Sequence, residues 1–243
     1  MKTLDKLKLT EANALLVLGI DTSGKTASVA ICDENNVIAQ TTILTKLTHS
    51  QVILPLVEKL LSDANLTLEN IDAIVVANGP GSYTGLRIGI SAVKAMCFTL
   101  SMKCMGISTL EALAFNCVGS KSKIISVMKA RPEIAYFGAF ESNGVNLSRL
   151  CDDKIIPIDE LVKLNDFTDG DIILVGDYAV ECYEKLFIDK ENVRIAPVAQ
   201  RLQLSSSLCM IALNNPESFD TPEKLDASYL QITKAEKDKE TQI

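Results

Sequence analysis

The apolar positions of this chain come in short runs separated by polar turns, and the period of the runs changes along its length. "LLVLGIDTSGKTASVAICDENNVIAQTTI" sets apolar blocks between the turn clusters "DTSG" and "DENN", which predicts strand, turn, strand, turn, strand. The period then lengthens. Val52, Ile53, Leu56, Val57, Leu60 and Leu61 recur at helical spacing behind Thr48-His49-Ser50-Gln51, a T-x-x-Q capping-box pattern. Pro55 lies beyond the first turn and is expected to kink this helix. "IDAIVVA" (71–77) is a β-branched run short enough for a buried strand, and a second helix is predicted from about Thr84 to Leu100.

Near residue 105 the pattern restarts. "KIISVMKA" (123–130), "IAYFGAF" (134–140) and "DIILVGD" (171–177) read as strands, "STLEALAFNC" (108–117) and "AVECYEKLF" (179–187) as helices. Proline and asparagine in "LNNPESFDTP" (213–222) set off a C-terminal segment ending in the charge run "KAEKDKETQI". No short-period repeat is present. The order predicts an N-terminal lobe over 15–105 and a second lobe over 106–215. Segment 216–235 is expected to pack back on the first lobe, with 1–14 a leader and 236–243 a tail.

Composition narrows the class. A hydrophobic fraction of 47% fits a globular protein, and no stretch approaches the ~20 apolar residues of a membrane span. "ALLVLGI" (14–20) runs straight into "DTSG" with no small-residue cleavage site, which reads as a first strand of a cytoplasmic protein, not a signal peptide. The net charge of −7 argues against a broad phosphate-binding surface, so nucleic acid is expected to be met locally or through a partner. Cysteines 32, 97, 104, 117, 151, 182 and 209 form no C-x-x-C pair and read as reduced, buried thiols. The one histidine, His49, reads as a helix-start residue and excludes H-E-x-x-H chemistry.

Two turns carry candidate chemistry. "GIDTSG" (19–24) places Asp21, Thr22 and Ser23 where the first strand turns into the second. Hydroxyls and backbone N–H groups there can hold an anion and an aspartate can orient a metal-bound water, but the same residues suit a capped hairpin turn. "NGPGSYTGLRIG" (78–89) sits between a strand and a helix; its spacing matches neither the dinucleotide fingerprint nor the nucleoside-triphosphate P-loop. Gly81, Ser82 and Thr84 at the helix start can attract an anion, or the glycines can serve backbone geometry while Ser82 or Thr84 caps the helix. "LVGDYAV" (174–180) is either a second anion turn or a strand-to-helix connection. In the helix after the glycine loop, Gly85, Gly89, Ala92 and Met96 line one face and Leu86, Ile90, Val93, Cys97 and Leu100 another, with Arg87, Ser91 and Lys94 as the polar stripe. A helix this apolar must be covered on most sides, by the sheet and by a helix of a second chain, or else wholly within its own chain.

"LGIDTS", "THSQVILPLVEKLL", "GPGSYTGLRIGISAVKAM", "MGISTLEALA" and "DASYLQITKAE" stand in the order, and close to the spacing, of the TsaB (YeaZ) family, which the chain resembles over about residues 15–235. The resemblance implies an α/β, two-lobed, actin-like ATPase (ribonuclease H-like) fold with a degenerate nucleotide site, in which Asp21, Thr22, Ser23, Gly81, Ser82 and Thr84 are vestigial anion turns. It implies a heterodimer with TsaD, the paralogue that places threonylcarbamoyl on N6 of adenosine 37 in tRNAs reading ANN codons, with the ATPase TsaE joining and tRNA met only through the complex. Leu56, Leu60, Gly85, Arg87, Gly89, Ala92, Val93 and Met96 are the expected interface, which is expected to form a homodimer when TsaD is absent. ATP or ADP and the metal are expected on the partner subunits, with no cofactor held tightly by this chain. The H-x-x-x-H metal motif of TsaD would fall on "ISTLEAL" (107–113), where Thr109 and Leu113 supply no imidazole. The implied role is therefore a non-catalytic scaffold. An autonomous actin-fold enzyme, either a small-molecule kinase using Asp21 or the glycoprotease (peptidase M22) of older labels, is the alternative. The chain departs from the family pattern at Lys129 and Ile134 in "KARPEIAY" (129–136), where Arg131 and Tyr136 remain, and at Gln231 after Tyr229-Leu230.

Overall fold

The first three apolar blocks form β1 (Val17–Asp21), β2 (Thr26–Cys32) and β3 (Val37–Leu44), an antiparallel meander whose turns are the polar clusters between them. This is seen in a computed structural model that describes residues 14–163 and 169–230. The leader 1–13, the tail 236–243 and Gln231 lie outside the described residues. Helix α1 (His49–Asp63) follows, opened by the Thr48–Gln51 capping box and running through Pro55 as one element, with the proline on its exposed side. β4 (Ala73–Gly79) pairs parallel with β1, and α2 (Tyr83–Leu100) leads to β5 (Lys103–Ser108), giving the strand order β3-β2-β1-β4-β5. The strand at 103–108 escaped the sequence reading because Gly106 interrupts its few apolar residues.

The second half repeats the plan. After α3 (Thr109–Phe115) come β6 (Lys123–Arg131), β7 (Ile134–Ser142), β8 (Leu147–Arg149), β9 (Lys154–Pro157), β10 (Ile172–Val175), α4 (Ala179–Cys182) with a π-turn through Phe187, and β11 (Val193–Ile195). The sheet order is β11-β10-β6-β7-β8, with β9 also on β7. β6 pairs antiparallel with β7 and parallel with β10, as β1 does with β2 and β4. The two-lobed α/β architecture expected from the sequence is the observed one. β8, β9 and β11 are edge strands of three or four residues, too short to show a period.

Both faces of each sheet are buried. In the first sheet Leu18, Ile20, Ile74 and Val76 face α1 and α2, while Val17, Ala73, Val75 and Ala77 face α5 (Ser205–Leu213), an alternation set by the two-residue period of a strand. Each such side chain taken fully from water contributes about 1.5–3 kcal/mol. The division of the chain at 215 needs correction here: α5 lies on the first sheet. Seven of its nine residues are buried, so its own periodicity could not choose between sheets. α3 covers the second sheet and lies beside α5. Asn116 ties the two together, donating from Nδ2 to the carbonyls of Gln200 and Leu202 (2.8 and 2.9 Å) and accepting from Ser207 Oγ (2.6 Å). The segment after α5 stays with the first sheet: Asp220 pairs antiparallel with Cys104, Ser228 N–H donates to the Asn78 carbonyl (2.7 Å), and Leu225 joins the α1–α2 core. Among the described residues no helix is long and apolar enough to cross a membrane.

Candidate functional site

The two turns singled out in the sequence meet in space. Ser82 N–H donates to the Ser23 carbonyl (2.7 Å) and Thr22 Oγ1 donates to the Gly85 carbonyl (2.7 Å), locking the β1–β2 turn onto the start of α2. A Cβ on Gly85 would run into the Thr22 carbonyl, and one on Gly89 into the Thr22 hydroxyl. These glycines allow the helix to lie flush on the turn. Ser82 is the N-cap of α2, its Oγ accepting from Gly85 N–H (3.2 Å), while Thr84 is exposed.

Asp21 is completely buried. Its Oδ1 accepts from Ser23 N–H (2.8 Å) and Ser23 Oγ (2.6 Å), and its Oδ2 has no partner. Burial pushes its carboxyl up to about 6, against the opposing pull of the Ser23 bonds and of His49. His49 opens α1, as its position suggested, and its Nε2 sits 2.9 Å from the Gly24 carbonyl while Nδ1 is buried without a partner. The starts of α1 and α2, both on the first sheet, therefore close on the same turn.

From the other side of the cleft comes Gln203, which is buried with its amide against Gly24. Its Oε1 accepts from Thr26 Oγ1 (3.1 Å) and its Nε2 points to Met128 Sδ (3.8 Å). Lys25 reaches Asp177 across the lobes (3.5 Å), and Asp177 Oδ1 accepts Lys129 N–H (3.0 Å). A phosphate bound at the β1–β2 turn would need free N–H groups and room. The Ser23 amide is spent on Asp21 and Gln203 stands on Gly24, so the residues present do not fit a nucleotide at this turn. No three His, Cys, Asp or Glu side chains among the described residues are placed to hold a metal ion. Thr109 and Leu113 are both buried in α3.

"LVGDYAV" is the connection between β10 and α4. Lys129 finds its own partner in Glu181 (2.7 Å) and lies 4.6 Å over the Tyr178 ring. Lys129 and Lys185 together hold the Glu181 carboxyl below its ordinary range. Ile134 is half-buried at the start of β7.

The residues expected at a partner surface divide. Leu60, Gly85, Gly89 and Val93 are buried inside this chain, which corrects their role: the small-residue face of α2 serves the β1–β2 turn. Arg87 is exposed, and Leu56, Ala92 and Met96 are half-buried. The outer face of the α1–α2 layer instead presents Leu54, Tyr83 and Phe98, at 48%, 42% and 54% exposure. The Arg87 guanidinium stacks 4.1 Å over Tyr83, and its Nε donates to the Tyr229 hydroxyl (3.1 Å), whose ring lies 5.1 Å from that of Tyr83. Lys94 pairs with Asp226 (3.5 Å). Sequence reasoning missed Gln203, Lys25 and Asp177, because isolated polar residues beside turns carry no period, and their pairing joins positions far apart in the chain.

Comparison with known proteins places this geometry. The family model described as "TsaD: tRNA N6-adenosine threonylcarbamoyltransferase" matches residues 36–183, more than half of the chain. The tRNA threonylcarbamoyladenosine biosynthesis protein TsaB of Bacillus subtilis is 28% identical over 224 residues, covering 91% of this chain and 96% of that protein. Among solved structures, YeaZ from Pseudomonas aeruginosa superimposes with a TM-score of 0.74 at 24% identity, over 89% of this chain and all of that one. A protein described as similar to peptidase YeaZ, also from Pseudomonas aeruginosa, gives 0.77 at 22% identity over the same shares.

Proposed function

This chain belongs to the family of the tRNA N6-adenosine threonylcarbamoyltransferase TsaD, in its TsaB (YeaZ) branch, and from that premise we propose that it is a non-catalytic subunit of tRNA threonylcarbamoyladenosine biosynthesis. Its role is to pair with a TsaD subunit, which carries the chemistry, and TsaE joins that assembly. The observation that supports this reading most is the interlobe cleft. Where an actin-like enzyme would hold nucleotide, Gln203 packs on Gly24, Asp21 is buried on Ser23, and Lys25 and Lys129 converge on Asp177. The chain offers its partner the outer α1–α2 face, with Leu54, Phe98 and the Tyr83–Arg87–Tyr229 cluster as contacts. Exposed aromatics held rigidly beside an arginine are the kind of group that dominates interface energetics. Without TsaD the same face pairs two copies of this chain, since an uncovered apolar patch seeks a partner. With a net charge of −7, tRNA is bound through the complex.

Reconstituted threonylcarbamoylation of tRNA with and without this chain tests the role. Product formation should depend on it and be lost with Phe98→Asp. Tight ATP binding with turnover by the isolated chain would instead favour an autonomous kinase.

A further inference from the structure

A sheet edge leaves backbone N–H and C=O groups without partners, and folded chains protect such edges with short strands, charges, prolines or a covering segment. Most edge strands of this molecule are protected in one of these ways. β8, β9 and β11 have only three or four residues, and β5 is closed by Asp220, whose N–H and carbonyl pair with Cys104 (2.9 and 2.8 Å). β3 is the exception. Its eight residues, Val37–Leu44, include no charge, proline or glycine. β2 takes one side of it, and among the described residues no backbone group pairs with the other. Val37 and Leu44 at its ends are 52% and 70% exposed. Opposite charges stand beyond those ends. Glu34 lies at the preceding hairpin tip, with one carboxyl oxygen accepting the Leu15 N–H (3.0 Å), and Lys46 follows the strand. Both are exposed, and neither forms a salt bridge among the described residues.

We propose that β3 is a pairing edge for a second copy of this chain, joined antiparallel about a two-fold axis with Gln40 opposite its own copy. An antiparallel strand edge matches itself under such an axis, because each outer N–H then faces a C=O of the other strand. The pleat restricts the register: opposed side chains must share a face, so opposed residues lie an even number apart. In the register centred on Gln40, Val37 meets Ile43, Ile38 meets Thr42 and Ala39 meets Thr41, each pair occurring twice. The uncharged strand meets its copy without like-charge repulsion. Two-fold pairing also sets the head of one strand at the tail of the other, so Lys46 of each copy comes to the end where Glu34 of the other stands. The strand is thus electrostatically complementary to itself, and two five-stranded sheets become one. The inference stands apart from the proposed function, whose partner surface is the outer face of α1 and α2.

Sedimentation equilibrium of the full chain carrying Phe98→Asp, which removes the apolar contact of the α1–α2 face, isolates pairing through β3. Dimer should be present at about 100 µM chain, and amide exchange across 37–44 should be slower there than at about 1 µM. The same slowing should appear in the parent chain. Gln40→Lys sets two ammonium groups face to face and should weaken the dimer at least about tenfold. Lys46→Glu and Glu34→Lys should each weaken it about fivefold, and the two together should restore it, a rescue that a purely structural effect within one chain would not give. A Phe98→Asp chain that stays monomeric at about 500 µM, with exchange across 37–44 independent of concentration in the parent, would overturn the inference. So would a dimer that Gln40→Lys leaves intact, or one in which the charge exchange shows no mutual rescue.

Discussion

The two lobes share one strand plan and use it differently. In each, a central strand (β1, β6) pairs antiparallel with the next strand and parallel with a later one (β4, β10), and a glycine of positive φ stands at or just after the end of that later strand. Gly79 at +126° and Gly176 at +111° occupy matching places. Beyond Gly79 comes an 18-residue helix that lies flush on the β1–β2 turn and leaves an outer face in solvent. Beyond Gly176 comes a four-residue helix with a π-turn, wrapped by Lys25, Lys129, Lys185 and their carboxylates. One copy of the plan became a presentable surface, and the other became a clasp over the cleft. A strand order therefore specifies where a helix starts, and the side chains that follow decide whether that helix leaves a face in solvent or is wrapped by its own chain.

The comparison breaks hardest at the flush helix. Gly89→Leu should cost several kcal/mol, because a Cβ there meets the Thr22 hydroxyl, which is fixed by its bond to the Gly85 carbonyl, and the added side chain has no room on the turn; thermal or urea unfolding reads this directly. Retained stability would mean that the helix does not rest on the turn.

The buried Asp21 comes next. Its folded value of about 6 exceeds the 3.8 expected of the unfolded chain, so between these values the unfolded state releases its proton first. Stability contributed by the protonated form is then present below about pH 3.8 and lost as pH rises through 6. Asp21→Asn should stabilise the protein by about 1–3 kcal/mol at pH 8 and by little near pH 4. Unfolding at the two pH values checks the sign.

The outer face should behave in the opposite way. Phe98→Asp should change monomer stability by less than about 0.5 kcal/mol yet weaken pairing with a TsaD subunit at least about tenfold, measured by calorimetry. The smallest effect is expected at the clasp. Lys25→Ala removes an ion pair whose lysine end is exposed and should cost less than about 1 kcal/mol, fading with added salt in thermal melts.

Much of this was legible in the residues. β1 to β4 follow from short apolar runs between turn clusters, α1 and α2 from helical spacing, and Thr48–Gln51 announced the start of α1 as it stands. "NGPGSYTGLRIG" announced its turn and helix, but its spacing left anion binding and backbone packing both open, and only contact with Thr22 and Ser23 assigned the glycines to packing. The interface set went wrong in the same place. Gly85 and Gly89 lie on a helix face with no mark saying which neighbour covers it, and the neighbour proved to be a turn more than sixty residues earlier, while Val93 packs into the core of the first sheet.

Local patterning was enough for the elements and the α/β class, because alternation and helical period are properties of adjacent residues. Long-range placement was not. The seating of α5 on the first sheet, the strap from Asp220 to Tyr229 along β5 and α2, and Gln203 in the cleft each join distant segments. An apolar helix or a lone glutamine is compatible with many neighbours. Close packing of two sheets around one shared helical layer admits only one arrangement, and it is that packing which filled the cleft and left the α1–α2 face outside.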